Sequence, residues 1–257
     1  MWGYPLVFNS NLGHNISYIV DYGDVKMALL TVGNPKLLKG QKKGYLSSVL
    51  HLAPADLSGK NTCPKATAGC KAACLNTAGR GGIFKKGETT NVIQQARIRK
   101  TKMFFENRNQ FMLDLVKEIQ ATIKKAEKQG LIPVFRLNGT SDIAWEKYTL
   151  PNGKNIFQHF PEVQFYDYTK ILGRKVYQIP NYHLTFSKAD GNDMDARLAA
   201  SNGMNVAVVF HNVPETYIGR TVINGDETDL RFLDPKGVVV GLKAKGKAKK
   251  DTSGFVV

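Results

Sequence analysis

The chain has 257 residues, 42% hydrophobic and 10% aromatic, which is enough apolar material for a packed core and excludes disorder as the default. No run approaches the roughly eighteen apolar residues of a membrane-spanning helix, and Met1-Trp2-Gly3-Tyr4-Pro5 lacks the charged start and apolar stretch of a secretion signal, so a cytoplasmic protein without a membrane partner is expected. The net charge of +15 invites a polyanion. It is unevenly placed: residues 85–128 carry eleven basic and five acidic side chains, residues 236–250 six basic and none acidic, and residues 129–235 ten basic against twelve acidic. A basic face over a neutral or acidic centre has this distribution, and DNA or RNA is the expected partner; a solvated surface that serves only solubility is the plain alternative.

In chain order, residues 1–44 read as a small N-terminal β element, with short apolar runs Ile16 to Val20 and Val25 to Val32 separated by Asp-Tyr-Gly-Asp and followed by a Lys/Gly-rich loop. Tyr45 to Leu52 reads as a further strand. Residues 53–90 are rich in Gly, Ala, Thr, Lys and Pro, hold all three cysteines, and are too long for an idle loop. Residues 91–129 are helical, and Phe111, Met112, Leu115, Ile119, Ile123 and Ala126 step by three or four along one face, with Asn107 expected to cap that second segment and Gly130 to end it.

Five apolar runs follow: Ile132 to Leu137, Val163 to Tyr166, His183 to Phe186, Val206 to Phe210 and Val238 to Leu242. Nearly continuous runs mark strands buried on both faces, and the long connections between the first four suit crossovers between parallel strands. Only Asp193 to Ser201 among those connections looks helical. With Tyr45 to Leu52 counted first, six strands point to a single α/β domain over residues 1–257 built as a partial or complete (β/α) barrel-like parallel sheet, with an open doubly wound sheet as the alternative. Residues 243–257 form a basic tail, whose Lys/Gly/Ala stretch Lys243 to Lys250 is expected at the surface or mobile until it meets a partner.

The cysteines are Cys63, Cys70 and Cys74, spaced C-x6-C-x3-C. Three thiols within twelve residues fit a metal or cluster better than a disulfide framework, and Lys60, Lys65, Lys71 and Arg80 nearby favour thiolate. A four-iron cluster held by three cysteines leaves one iron open, which makes the site catalytic; a zinc ion needs a fourth ligand, for which His14, His51, His183 and His211 are available. A loop of this kind after the first barrel strand and before the first long helix resembles the arrangement of radical S-adenosylmethionine enzymes, whose spacing is C-x3-C-x2-C. The resemblance implies a catalytic iron–sulfur cluster, with S-adenosylmethionine as a possible cofactor. Asn138, Gly139, Thr140 and Ser141 stand where such enzymes carry Gly-Gly-Glu, and are candidates for cofactor binding.

The chain as a whole resembles the gene product 88 family of bacteriophages. The matching stretches are the cysteine loop ending Ala78-Gly79-Arg80, Arg136-Leu137-Asn138-Gly139-Thr140-Ser141-Asp142, Phe165-Tyr166-Asp167-Tyr168-Thr169-Lys170, Gly225-Asp226 with Asp229, and Asp251-Thr252-Ser253-Gly254-Phe255-Val256. That resemblance implies a phage origin and leaves the chemistry open.

Polar groups gather where the strands should end. Asp142 and Asp167 are candidates to orient a substrate or act as general base, Lys170 to meet a phosphate or carboxylate, and His211 to serve as a further catalytic group; each is also ordinary turn or cap chemistry. Asp226, Asp229 and Asp234 could bind Mg²⁺, but Asn224-Gly225-Asp226 reads more simply as a turn. Arg97, Arg99, Lys100 and Lys102, with Lys243, Lys245 and Lys247, are the candidate nucleic-acid contacts. No P-loop and no strand-bound G-x-G-x-x-G is present. The expectation is thus an iron–sulfur phage enzyme acting on nucleic acid or a nucleotide, with base modification as a candidate activity; the competing expectation is a non-enzymatic nucleic-acid-binding protein with a structural zinc.

Overall fold

The computed structural model describes residues 27–32 and 35–257. The first elements are β1 (Leu30–Thr31), α1 (Pro35–Gln41), β2 (Tyr45–Leu50) and α2 (Ala68–Ala72), followed by the helix pair α3 (Val92–Glu106) and α4 (Arg108–Lys128). Then come β3 (Ile132–Arg136), α5 (Ile156–His159), β4 (Gln164–Thr169), β5 (Tyr182–Ser187), α6 (Asp193–Ser201), β6 (Val206–Phe210), β7 (Thr216–Tyr217), β8 (Arg220–Asn224) and β9 (Val239–Lys243). One nine-stranded sheet holds them in the order β1-β2-β3-β4-β5-β6-β9-β8-β7. The six strands from β2 to β6 and β9 run parallel, as the apolar runs imply, and β8 is parallel to β9. Only the edge strands β1 and β7 are antiparallel to their neighbours.

The order never reverses from β2 to β6, so right-handed crossovers all fall on one side. Leu50, Leu52, Phe135, Leu137, Phe165 and Leu184 meet Phe104, Phe111, Leu115 and Ile119 of the helix pair there, and Phe186, Val206, Val208 and Val239 meet Ala196, Ala199 and Ala200 of α6. Each of these buried Phe or Leu side chains contributes roughly 1.5–3 kcal/mol. The sheet is open, as the doubly wound alternative expects, but the crossover helices between β2 and β6 lie on one face rather than two. The complete barrel is corrected, because the chain spends its last strands on the β7–β8 hairpin and the sheet stays open between β1 and β7.

The opposite face is covered differently. Val134 and Tyr166 pack there against Leu230, Tyr45 and Phe232, so the segment that returns from β8 to β9 lies under the sheet. Gly40 of α1 approaches the same place, its missing Cβ position 3.4 Å from Ser47 Oγ and 3.7 Å from Leu230.

The helical region divides at Asn107, as expected, but Asn107 gives no side-chain cap to α4. The cap that forms is Asn91, whose Oδ1 accepts the N–H groups of Ile93 and Gln94 at 3.1 and 3.0 Å. Gly130 ends α4 at φ +63, with Leu131 N–H reaching back to Ala126 O at 3.0 Å.

Of the N-terminal β element, Ile16 to Val20 lies outside the described residues, and the described part of Val25 to Val32 gives only β1, an edge of the main sheet. Part of the expected Lys/Gly-rich loop is helix α1. The hairpin β7–β8 has no Asn-Gly signal and turns through Ile218 and Gly219, both at positive φ (47 and 74).

Of the two expectations for the basic stretch Lys243 to Lys250, the surface position is the one described: its lysines are exposed on packed chain. Ala244 and Ala248, four residues apart, give Lys243 to Lys250 an apolar side that seats with Ala73, Ala189 and Phe255, and Val256 pairs with Val209.

The edge strand β1 is held by charge. Glu118 of α4 accepts the N–H groups of Leu29 and Leu30 at 2.7 and 2.8 Å, and Lys100 Nζ donates to Leu29 O at 2.8 Å. Glu118→Ala should therefore speed amide exchange at Leu29 and Leu30 by at least about tenfold, as losing charge-assisted bonds does, while β4 amides keep their protection. Unchanged exchange at those two amides would refute the clamp.

Candidate functional site at the strand ends

Parallel strands deliver their C-terminal ends to one side, and there a cavity of about 220 Å³ opens. Its lining comes from the cysteine loop (Cys63, Cys70, Cys74), from Arg136 and residues 138–142 after β3, from Tyr168 and Lys170 of β4 and its end, from Ser187, and from Lys243 and Lys245 after β9. The three cysteines and the polar strand ends that the sequence singles out thus meet, with two exceptions described below.

The cysteine loop is fastened at several points. Thr62 donates to Ala53 O at 2.6 Å and its own carbonyl accepts Asp142 N–H at 2.8 Å. Cys63 Sγ lies 3.7 Å from Thr140 O. Thr67 caps the short helix α2 that carries Cys70, its hydroxyl accepting Cys70 N–H at 3.2 Å. Asp190, just beyond β5, accepts from the Thr67 hydroxyl, from Gly69 N–H at 2.9 Å and from Cys70 N–H at 3.1 Å. Gly69 is required there, since a Cβ would stand 2.0 Å from Ser253 Oγ and 2.6 Å from Asp190 Oδ1. Cys74 heads a tight turn whose Asn76 is held by Arg97 at 2.5 Å.

All three cysteines are free and half-buried. Burial, above all, pushes the Cys74 thiol up to about 11 and raises Cys63 as well, and each also feels the charge of its neighbours in the loop. Among the described residues no three His, Cys, Asp or Glu side chains form a group that could hold one metal ion.

The loop after β3 hangs on Asn138. Its Nδ2 donates to Ile143 O at 2.9 Å, and its Oδ1 accepts from Ser141, Ile143 N–H and Trp145 Nε1 at 2.9, 2.9 and 3.2 Å. That side chain is committed to shaping the loop. Gly139 continues the β2–β3 pairing through its N–H to Leu50 O at 2.9 Å, and a Cβ there would stand 2.7 Å from both Val49 and His51. Thr140 donates to Leu52 O at 2.5 Å. What Asn138, Gly139, Thr140 and Ser141 present to the cavity is therefore mostly backbone.

Asp142 lines the cavity and accepts Lys170 N–H at 2.8 Å, with Arg174 at 3.8 Å; burial raises its pKa. Asp167 does not line it and is corrected as a candidate base. It is fully buried, accepts Asn138 N–H at 2.7 Å and the Tyr182 hydroxyl at 2.9 Å, and burial lifts it to about 7 against the pull of Arg136. The alternation of β4 explains this: Tyr166, Tyr168 and Lys170 share one face, and Asp167 turns to the other. His211 is the second exception, exposed and outside the cavity, where its N–H pairs with Val257 O at 2.9 Å.

Arg136 forms the floor, paired with Asp229 at 3.2 Å and stacked over Tyr168 at 4.7 Å. Asp226 pairs with Lys245 and Asp234 with Arg231, so the three aspartates serve separate cations, as the turn reading expects. Of the histidines proposed as a fourth ligand, His14 lies outside the described residues. His51 and His183 are lowered by burial, His51 to about 3, and neither lines the cavity.

The basic stretch of α3 splits by helix face. Arg99 and Lys102 are exposed. Lys100 is buried on Leu29 O, and Arg97 points into the cysteine loop, so both are corrected as surface contacts. Lys243, Lys245 and Lys247 are exposed at the mouth, the first two lining the cavity. Sequence reasoning missed Asp190, which reads as part of a Lys-Ala-Asp-Gly turn, and Arg136, which the two-residue period places on the face of the site.

Asp190 gives a test of the loop's fastening. Burial pushes its pKa up, but the bonds from Thr67, Gly69 and Cys70 outweigh that and bring it below 3.8. A depressed folded value means the stabilisation is present above about pH 4 and lost as pH falls through the folded pKa. Asp190→Asn should abolish that acid-side loss and speed alkylation of Cys70 by iodoacetamide several-fold at neutral pH, while Cys63 changes little. Equal alkylation rates would show that Asp190 does not hold the helix.

No curated protein and no solved structure matches the chain. A family model described as Gene product 88 matches residues 28–257. With nearly the whole described chain under that model, from β1 to the terminal valines, the protein belongs to the gene product 88 family.

Proposed function

We propose that this protein is an iron–sulfur enzyme acting on a nucleotide or nucleic acid, with Cys63, Cys70 and Cys74 holding the cluster at the mouth of a partial (β/α) barrel. The observation that carries this reading is that three free, half-buried cysteines of one loop line a single cavity at the ends of parallel strands, beside Lys170, Asp142 and Arg136. Five parallel strands in consecutive order, β2 to β6, with their crossovers on one face are the beginning of such a barrel.

The donor set suits the group. Cys63 and Cys74 are held as neutral thiols by burial, so a cation must displace their protons, and Arg97 and Lys170 near Cys74 favour the thiolate that results. A single zinc ion draws every sulfur to about 2.3 Å from one centre. A four-iron cluster gives each of the three thiolates its own iron and leaves the fourth iron open toward the cavity they line.

When bound, a cluster with three cysteines supplies one iron open to a substrate or to S-adenosylmethionine, and a source of single electrons. Around it, Lys170 brings a positive charge, Asp142 a carboxylate that burial inclines toward its protonated form, and the 138–142 loop backbone hydrogen-bonding groups. Arg99, Lys102 and Lys247 extend a basic face beyond the cavity, as a polymer substrate needs. A phage product of this kind acts in the host cytoplasm.

Anaerobically purified or reconstituted protein should be coloured and contain about four iron and four sulfide per chain. Cys63→Ser, Cys70→Ser and Cys74→Ser should each remove most of the colour; colourless protein with one zinc per chain would establish the structural-zinc alternative.

The basic face has its own measurement. Affinity for single-stranded DNA should fall with salt, and Arg99→Met with Lys102→Met should reduce the log–log slope by about 1.4, about 0.7 per lost phosphate contact. No binding at low salt would remove nucleic acid as the substrate.

A further inference from the structure

The charges lining the cavity do not balance. Its cations are Arg136, Lys170, Lys243 and Lys245, and its carboxylates Asp142, Asp226 and Asp229. Arg136 pairs with Asp229 at 3.2 Å and Lys245 with Asp226 at 2.5 Å. Asp142 is shared with Arg174, which stands behind the cavity wall at 3.8 Å and also holds Glu146 at 2.5 Å. Lys170 and Lys243 remain, neither in an ion pair among the described residues. Lys170 is the more telling, because its half-buried Nζ has the hydroxyl of Ser187 as hydrogen-bond partner at 3.1 Å, and an ammonium group carries three donors. The charge of Asp142 reaches it, but that carboxylate is divided between the Lys170 N–H and Arg174, so this partly desolvated cation has room for a further counter-charge.

We propose that Lys170, Ser187 and Lys243 form a subsite for a phosphate group inside the cysteine-lined cavity. This deepens the nucleotide reading of the same cavity and names the part of the ligand it grips. Two unpaired ammonium groups match a phosphate monoester, whose charge near neutral pH is about −1.5 to −2, better than a carboxylate, whose charge is −1. Lysine binds phosphate as a point charge and tolerates the range of geometries a flexible ester presents. Ser187 holds the Lys170 amino group in place from the end of the adjacent strand, and its hydroxyl can turn to donate to the ligand while Nζ swings onto the same oxygen. A cavity of about 220 Å³ admits a phosphorylated small molecule or one residue of a strand, not a duplex.

The test uses the full chain, titrated by calorimetry at constant ionic strength with inorganic phosphate, adenosine monophosphate and acetate as separate probes. Phosphate and the nucleotide should bind, acetate at least about tenfold more weakly. Lys170→Met should weaken phosphate by about tenfold or more, the scale of one charge-assisted bond, with Lys170→Arg restoring part of the loss. Lys124→Met, an equal charge removal on the exposed face of α4, should leave it unchanged. Thermal unfolding of each variant separates lost binding from lost structure. The same titration in the triple Cys→Ser variant distinguishes the two readings: phosphate binding that persists there supports the subsite whether or not iron is found. Absent phosphate binding in the wild-type chain, acetate binding as tight as phosphate, or a Lys170→Met variant that binds like Lys124→Met would overturn it. A Lys170→Met variant that alters the iron colour and leaves phosphate binding intact would likewise overturn it, making Lys170 a partner of the cluster.

Discussion

A parallel sheet whose crossovers from β2 to β6 lie on one face leaves the other face with α1 as its helix, and the rest of this protein follows from how that face is covered. The alternate residues of β2 to β6 that point away from the helices include Ser47, Arg136, Tyr166, Tyr168, His183 and Thr185 rather than an apolar stripe. The returning segment before β9 seals them with Leu230 and with two arginine–aspartate pairs, Arg136–Asp229 and Arg231–Asp234. Removing one partner of such a pair leaves an uncompensated buried charge, so the segment is tied to the sheet by more than its few apolar contacts. The cover stops short of the strand ends, and the cavity is what remains open.

Two carboxylates near the mouth show opposite uses of the same group. Asp190, half-buried, receives three hydrogen bonds and titrates below its ordinary value, so it favours the folded chain at neutral pH. Asp167, fully buried, titrates near 7. Its folded form holds protons more tightly than its unfolded form, so its contribution to folding diminishes as pH rises from about 4 to 7. The protein tolerates that loss because Asp167 positions Asn138 and Tyr182, and Asn138 shapes the loop carrying Asp142. Stability given up beneath the site fixes the backbone above it.

The strand runs were legible because they are nearly continuous in apolar residues, and all six parallel strands and α6 stand where the pattern puts them. The elements that escaped have local causes. The four residues of α5 show no helical period, α1 mixes Gly and Lys, and β7–β8 is short and half-exposed, its turn using Ile218 at positive φ. The convergence of the cysteines with Asp142 and Lys170 was readable from strand ends alone. The fate of Asp167, Lys100 and Arg97 was not, because which face of a strand or helix meets the core depends on register, and a shift of one residue reverses it. The lysine-rich tail was legible in part for a related reason: composition announces its five lysines, while the two alanines that seat the segment carry no signal of their own.

The thiols owe their positions to contacts distant in sequence more than to their spacing. Thr62, beside Cys63, is tied to Ala53 and to Asp142 beyond β3; Cys70 is tied to Asp190 beyond β5; Cys74 is followed by Asn76, which Arg97 of α3 holds. The far end of the chain closes the arrangement, with Ser253 against Gly69 and Lys188 donating to Gly254 O at 2.9 Å. A loop braced in this way from α3, two strand ends and the C-terminus does not need a short fixed spacing to bring its sulfurs to one cavity. C-x6-C-x3-C can therefore present three thiols to a common ligand as a tighter motif would, the difference being that the whole mouth must be assembled first. On that account, a cluster of the kind proposed would bind best to the chain whose C-terminal segment is already packed against the loop, and its binding would in turn stabilise that packing.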